Sequence, residues 1–284
     1  IGGREWEDMT GARIDTTRVY RAVLPSGRSL ALFFYDGPTS RAVAFERLLA
    51  RGDVFANRLA AAFSDQKPGP QLSHIATDGE TYGHHHQFGD MALAYALDHL
   101  ESSGLARLTN YGEFLERHPP THEVEIIENT SWSCAHGLER WRGDCGCSTG
   151  ARPGWSQAWR KPLREALDAL RDRTAPSFER EAAEIFHDPW AARDDYISLV
   201  LDRSPASQDQ FFSRNARPGL SPEQKVRALK LLELQRHALL MFTSCGWFFD
   251  DVGGIETVQV LCYAGRAIQL ARELFQEELS LIHI

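Results

Sequence analysis

Cysteine is scarce. Five in 284 residues are too few for the disulfide framework that staples small secreted domains. Reduced thiols in a cytoplasmic protein are therefore expected. Long apolar runs are missing too: no stretch approaches the roughly 18–20 apolar residues needed to cross a bilayer, so no membrane partner is expected. Positive charge is in deficit, with 31 Lys and Arg against 39 Asp and Glu. A formal charge of −8 has the wrong sign for an electrostatic nucleic-acid binder. The opening Ile1-Gly2-Gly3-Arg4-Glu5-Trp6 lacks an initiator Met and the basic and apolar regions of a secretory leader, as a chain cut from a longer one would. The closing Leu281-Ile282-His283-Ile284 follows a helical run without a cap and reads as translated adapter. Internal repeats and low-complexity tracts are absent.

What is present is ordinary for a globular chain: 43% hydrophobic and 25% charged residues supply an ample core for one or two domains. Val19 to Leu24 and Leu30 to Tyr35 are β-rich runs flanking Pro25-Ser26-Gly27, a candidate hairpin. The second run is nearly all apolar, as a strand buried on both faces would be. Helical spacing follows over Thr39 to Ala50 and Val54 to Phe63. A short strand is expected at Leu72 to Ala76, then a helix over Asp90 to Ser102, a strand at Ala106 to Thr109 and a helix over Tyr111 to Arg117. An extended segment, Val124 to Ile127, closes this half. Strands alternating with helices imply a parallel sheet.

From Ser156 onward the period is helical throughout. Ser221-Pro222-Glu223-Gln224 is a capping box with Pro in its first turn. Gly253-Gly254 precedes a last helix carrying Val258, Leu261, Cys262 and Ile268. The expected fold class is α/β plus all-α, with domains at 1–154 and 155–280.

The densest chemistry lies in Asp78-Gly79-Glu80-Thr81-Tyr82-Gly83-His84-His85-His86, directly after an expected strand. Loops at the C-terminal ends of parallel strands are where active sites collect. Three readings stay open: a capping loop whose carboxylates bond backbone N–H groups, a metal site, or a polar cleft lined by the histidines. A second cluster is Cys134-Ala135-His136 with Cys145-Gly146-Cys147. Three thiols and an imidazole would fill a tetrahedral zinc site; the other reading is small buried residues beside a cleft histidine. A Cys145–Cys147 redox pair would be strained at that spacing.

Asp78-Gly79-Glu80-Thr81-Tyr82-Gly83-His84 resembles the fourth motif of glycoside hydrolase family 57. Leu32-Phe33-Phe34-Tyr35-Asp36 resembles a strand of that family's barrel, and Thr109 to Pro120 is similar to a segment of its 1,4-α-glucan branching enzymes. Ser131-Trp132 with Trp141 resembles their Ser-Trp and Trp pattern. Ser244-Cys245-Gly246-Trp247-Phe248-Phe249 resembles their Ser-Asp-Trp-x-Phe, with Gly246 in place of the Asp. Together with Ser131-Trp132-Ser133-Cys134-Ala135-His136-Gly137, these motifs resemble an uncharacterised branch whose C-terminal part is a domain of unknown function.

The resemblance implies the C-terminal part of an incomplete (β/α)7 barrel followed by a helical bundle. It also implies retaining glycoside hydrolase or transglycosylase chemistry on an α-glucan-like polysaccharide or oligosaccharide, with no cofactor required. Asp78 would be the general acid/base, and Glu80 would hold a sugar hydroxyl or orient Asp78. The family's nucleophile, a Glu on an earlier strand, has no counterpart here, so a missing N-terminal part of the same chain would supply it. Asp78 and Glu80 cannot easily be the catalytic pair, because i and i+2 in an extended segment point the same way. Tyr82, His84, His85, Trp132, His136, Trp141 and Trp247 are the candidate substrate-binding residues. Indole faces pack against the C–H face of a pyranose. Cys134, His136, Cys145 and Cys147 remain a candidate structural zinc set. The rival classes are a carbohydrate- or metal-binding module and a metal-dependent hydrolase or deacetylase.

Overall fold

The computed structural model describes residues 6–11 and 13–276. The readings of Ile1 to Glu5, of Leu281 to Ile284 and of a domain end at 280 lie outside them. The chain forms two compact units, Ile1–Ile127 and Glu128–Ile284.

The first unit is mixed α/β. Strands β1 (Val19–Val23) and β2 (Ser29–Phe33) pair antiparallel with Val19 opposite Phe33, the hairpin expected from the Pro-Ser-Gly turn. Strand β3 (His122–Glu123) pairs parallel to β1, giving the order β2-β1-β3. The extended segment thus pairs two residues earlier than expected, and Val124 N–H still reaches Arg21 O at 3.0 Å. β2 is not buried on both faces: Leu30 is 54% exposed. It is an edge strand, and only its end turns inward, where Phe33 packs against Tyr111 with ring centroids 4.5 Å apart.

Helix α1 (Gly37–Phe45) starts where Asp36 accepts the Thr39 N–H at 2.9 Å, with Pro38 in its first turn. Helices α2 (Gly52–Ala60), α3 (Gly89–Ser102) and α4 (Tyr111–Arg117) follow. Val43, Phe55, Ala56, Ala96 and Leu100 form the core between α1, α2 and α3. Two expected strands are absent. Residues 72–76 join no ladder and make only single bonds, such as Asp36 N–H to His74 O at 3.2 Å. Residues 105 and 106 turn back instead, both amides bonding Leu100 O at the end of α3. The demand of the α3 carbonyls for donors outweighs the local β propensity.

The second unit is helical, with no strand among its described residues: α5 (Arg160–Ala183), α6 (Pro189–Asp195), α7 (Ile197–Leu201), α8 (Pro205–Asn215), α9 (Pro222–Leu240), α10 (Cys245–Phe248) and α11 (Ile255–Phe275). Helices α9 and α11 pack along each other and against α5. The inward face of α11 is Val260, Ala264, Ala267, Leu270 and Leu274, while Val258 is 43% exposed and Cys262 is also exposed. The helical period puts Val260, Ala264, Ala267, Leu270 and Leu274 on one stripe and leaves Val258 and Cys262 off it. The capping box forms as read: Ser221 Oγ accepts from Gln224 N–H, and Gln224 Oε1 accepts from Ser221 N–H. Ser221→Ala should cost about 1 kcal/mol, read as a lowered urea midpoint at constant m.

Candidate active site and cysteine–histidine cluster

In the first unit, Asp78 has extended backbone and a 3-10 turn, Gly79–Thr81, follows. The loop is tied by its backbone. The Glu80 carbonyl accepts from His84 N–H at 3.2 Å and His85 N–H at 2.9 Å, and His86 N–H reaches Thr81 O at 3.3 Å. Thr81 is buried, and the Thr77 hydroxyl donates to the Tyr82 hydroxyl at 3.1 Å. His86 Nε2 donates to Ala44 O at 2.9 Å, anchoring the loop to α1. Gly89 opens α3 so close to the loop that a Cβ there would lie 3.3 Å from Tyr82 Cα.

The side chains of interest point away from this knot. Asp78 and Glu80 are exposed, and Asp78 makes no side-chain cap to the turn it precedes. Among the described residues its carboxylate has no hydrogen-bond or ion-pair partner, so the capping-loop reading of Asp78 fails. His84 and His85 are exposed, with ring centroids 5.2 Å apart; Tyr82 is half-buried against the core. An apolar groove of about 510 Å³ begins beside the loop, lined by Phe88, Met91 and Tyr95.

Sequence reasoning passed over His74, one turn of chain upstream. Its Nε2 lies 3.2 Å from Thr16 O and its Nδ1 3.1 Å from the Tyr111 hydroxyl. Burial, the largest influence on it, holds the imidazole below its ordinary pKa.

In the second unit, Trp132 is 79% exposed, with its ring open to solvent. Trp141 is half-buried at the edge of the helical core, and its indole N–H donates to Ser244 O at 3.0 Å. Trp247 corrects the expectation of a stacking role. It is 1% exposed inside the core and its N–H donates to Arg160 O at 3.2 Å, so neither ring face is open to a sugar. Gly246, where the motif resemblance would place an Asp, packs against α11: a Cβ there would lie 2.5 Å from Val260 Cγ2. No carboxylate fits at that position.

Cys134, His136, Cys145 and Cys147 converge, with one ligand atom of each within 4.8 Å of the others. Burial pushes the Cys134 thiol up, but the N–H groups of Arg140 and His136 and the neighbouring thiols bring it down to about 7. Burial leads in raising Cys145. His136 Nδ1 faces Cys147 Sγ at 3.5 Å.

Residues 5–127, which contain the whole Asp78–His86 loop, match the sequence profile of glycosyl hydrolase family 57. This segment is similar to that family. Residues 155–282 match the domain of unknown function DUF3536. The fold resembles the crystal structure of an exo-type maltose-forming amylase from Pyrococcus sp. ST04, with a TM-score of 0.66 at 18% identity. The likeness covers 96% of this chain and 52% of the amylase, so the chain spans about half that protein's length. No curated protein sequence matches it. Among the described residues, no helix is long and apolar enough to cross a membrane.

Proposed function

We propose that the family 57 segment serves a retaining glycoside hydrolase or transglycosylase acting on α-glucan-like polysaccharide, with Asp78 as general acid/base. The observation that carries this reading is the Asp78 loop itself. Its backbone is pinned at Glu80, Thr81 and His86, while the Asp78 carboxylate is exposed and has no structural partner. A positioned, unengaged carboxylate is what proton transfer to a leaving oxygen requires. The family match over 5–127 and the fold likeness to an amylase support the substrate class.

In this reading the first unit is part of a (β/α)7 barrel. Glu80 binds a sugar hydroxyl or orients Asp78, and Tyr82, His84 and His85 line the sugar site. The nucleophile comes from chain outside these residues, since Asp78 and Glu80 lie two positions apart and cannot flank one glycosidic bond.

On the second unit, Trp132 is proposed as a sugar platform and Trp141 as a lesser one. Trp132→Ala should weaken binding of maltooligosaccharides about two- to tenfold, the value of one stacking contact, as read by calorimetry. The melting temperature should hardly move, because the ring is 79% exposed.

The test is an assay of the full protein carrying this chain on maltooligosaccharides and amylose, with chromatography of the products. Shortened or transferred glucan chains support the reading. Inertness on every α-glucan overturns it.

A further inference from the structure

The cysteine–histidine cluster lies outside the sugar chemistry, and its geometry carries an inference of its own. A tetrahedral zinc with Zn–S of about 2.3 Å and Zn–N of about 2.0–2.1 Å sets its sulfurs about 3.8 Å apart and sulfur and nitrogen about 3.5 Å apart. Cys134 Sγ lies 3.8 Å from Cys145 Sγ and 3.9 Å from Cys147 Sγ, and Cys147 Sγ lies 3.5 Å from His136 Nδ1. A disulfide would have drawn two of these sulfurs to about 2.05 Å. We propose that Cys134, His136, Cys145 and Cys147 bind one zinc ion in a closed structural site.

The surroundings fit that ion. Main-chain N–H groups of His136 and Arg140 lie near the Cys134 sulfur, and that of Cys147 lies near the Cys145 sulfur. Amide donors on ligand sulfurs stabilise thiolate and fix its direction. The charge balance is more telling. Arg140 and Arg160 are 5% and 0% exposed, and among the described residues neither has an ion-pair partner. The Nε of each also lacks a hydrogen bond.

Arg160 donates to Cys147 O at 2.8 Å, and Arg140 lies over the Phe248 ring at 4.4 Å. Among the described residues the buried carboxylate nearby is Asp250, engaged by Thr149 and Ala151, while Asp144, also near Arg160, is exposed to solvent. With neutral thiols, two guanidinium groups and one carboxylate leave a buried positive charge, which is costly. Three thiolates around a divalent ion contribute one negative charge and close the balance.

All four ligands come from the protein, so no position is left for a substrate or an activated water, as a catalytic zinc would need. The same loop reaches α5 through Arg160 and the end of α10 through Asp250. The ion therefore holds residues 134–151 on the helical unit, two residues from Trp132.

The test uses the whole chain, purified under reducing conditions with zinc supplied. Stoichiometric zinc is expected. Cobalt replacement should give the strong visible bands and sulfur charge-transfer absorption of a tetrahedral thiolate site. Cys245 and Cys262 are exposed and should react with a thiol reagent at once; three further thiols should react only after the metal is removed. Cys145→Ser and His136→Ala should each lower zinc retention at least tenfold, while His136→Cys should restore it. If Cys145→Ser does not fold, the wild-type cobalt spectrum and thiol titration decide. Zinc well below one equivalent after reconstitution, or a cobalt spectrum without sulfur charge transfer, would overturn the site. Retention of zinc by both ligand variants would overturn it as well.

Discussion

Asp78→Asn is expected to lower turnover of maltooligosaccharides and amylose by about 10²- to 10⁴-fold, the usual contribution of a positioned general acid/base. The change removes one proton and nearly no volume. The native carboxylate is exposed and unpartnered among the described residues, so stability should stay within about 0.5 kcal/mol. The loss should depend on the leaving group. A sugar leaves only when its oxygen is protonated, whereas fluoride or dinitrophenolate leaves without help. On such activated glycosides the first step should survive, the glycosyl-enzyme should accumulate, and KM should fall together with kcat. A kcat/KM loss of equal size on activated and natural substrates would instead point to misfolding or to a nucleophile role.

Trp247→Ala is expected to cost about 3–5 kcal/mol, enough to take much of the stability of a domain that holds about 5–15 kcal/mol. The indole is 1% exposed in the core formed by α5, α9 and α11, and its N–H donates to Arg160 O at 3.2 Å. Truncation leaves a cavity and removes that carbonyl's indole donor. Gly246 lets α10 lie against α11 at this point, so the helices cannot simply collapse inward. Urea denaturation followed by circular dichroism checks the value. A loss of sugar binding with unchanged stability would return Trp247 to the stacking role that its motif suggests.

The contrast between the two tryptophans shows where sequence reasoning stops. Trp132 and Trp247 both sit in Ser- and Cys-containing motifs, yet one is 79% exposed and the other 1%. Exposure is decided by packing partners far along the chain, such as Val260 and Arg160, which no local pattern reveals. Features set by neighbouring residues were legible: the β1–β2 hairpin, the Ser221 capping box and the helices α3 and α4. Features set by tertiary demand were not. Residues 105 and 106 bond the end of α3 instead of entering a sheet, and apolar β2 lies at an edge.

At the candidate site, the motif residues could be named from the sequence, and the cysteine–histidine set could be named from ligand type alone. The buried Arg140, Arg160 and Asp250 around that set gave no signal, because charged side chains default to the surface.

The most direct test of the acid/base assignment is azide trapping in the Asp78→Asn variant of the full protein. Azide needs no general base, so it should attack the accumulated glycosyl-enzyme, restore turnover of an activated α-glucoside and release an α-glucosyl azide. A rate that azide leaves unchanged, or a β-configured product, would contradict the role of Asp78 as the acid/base of a retaining enzyme.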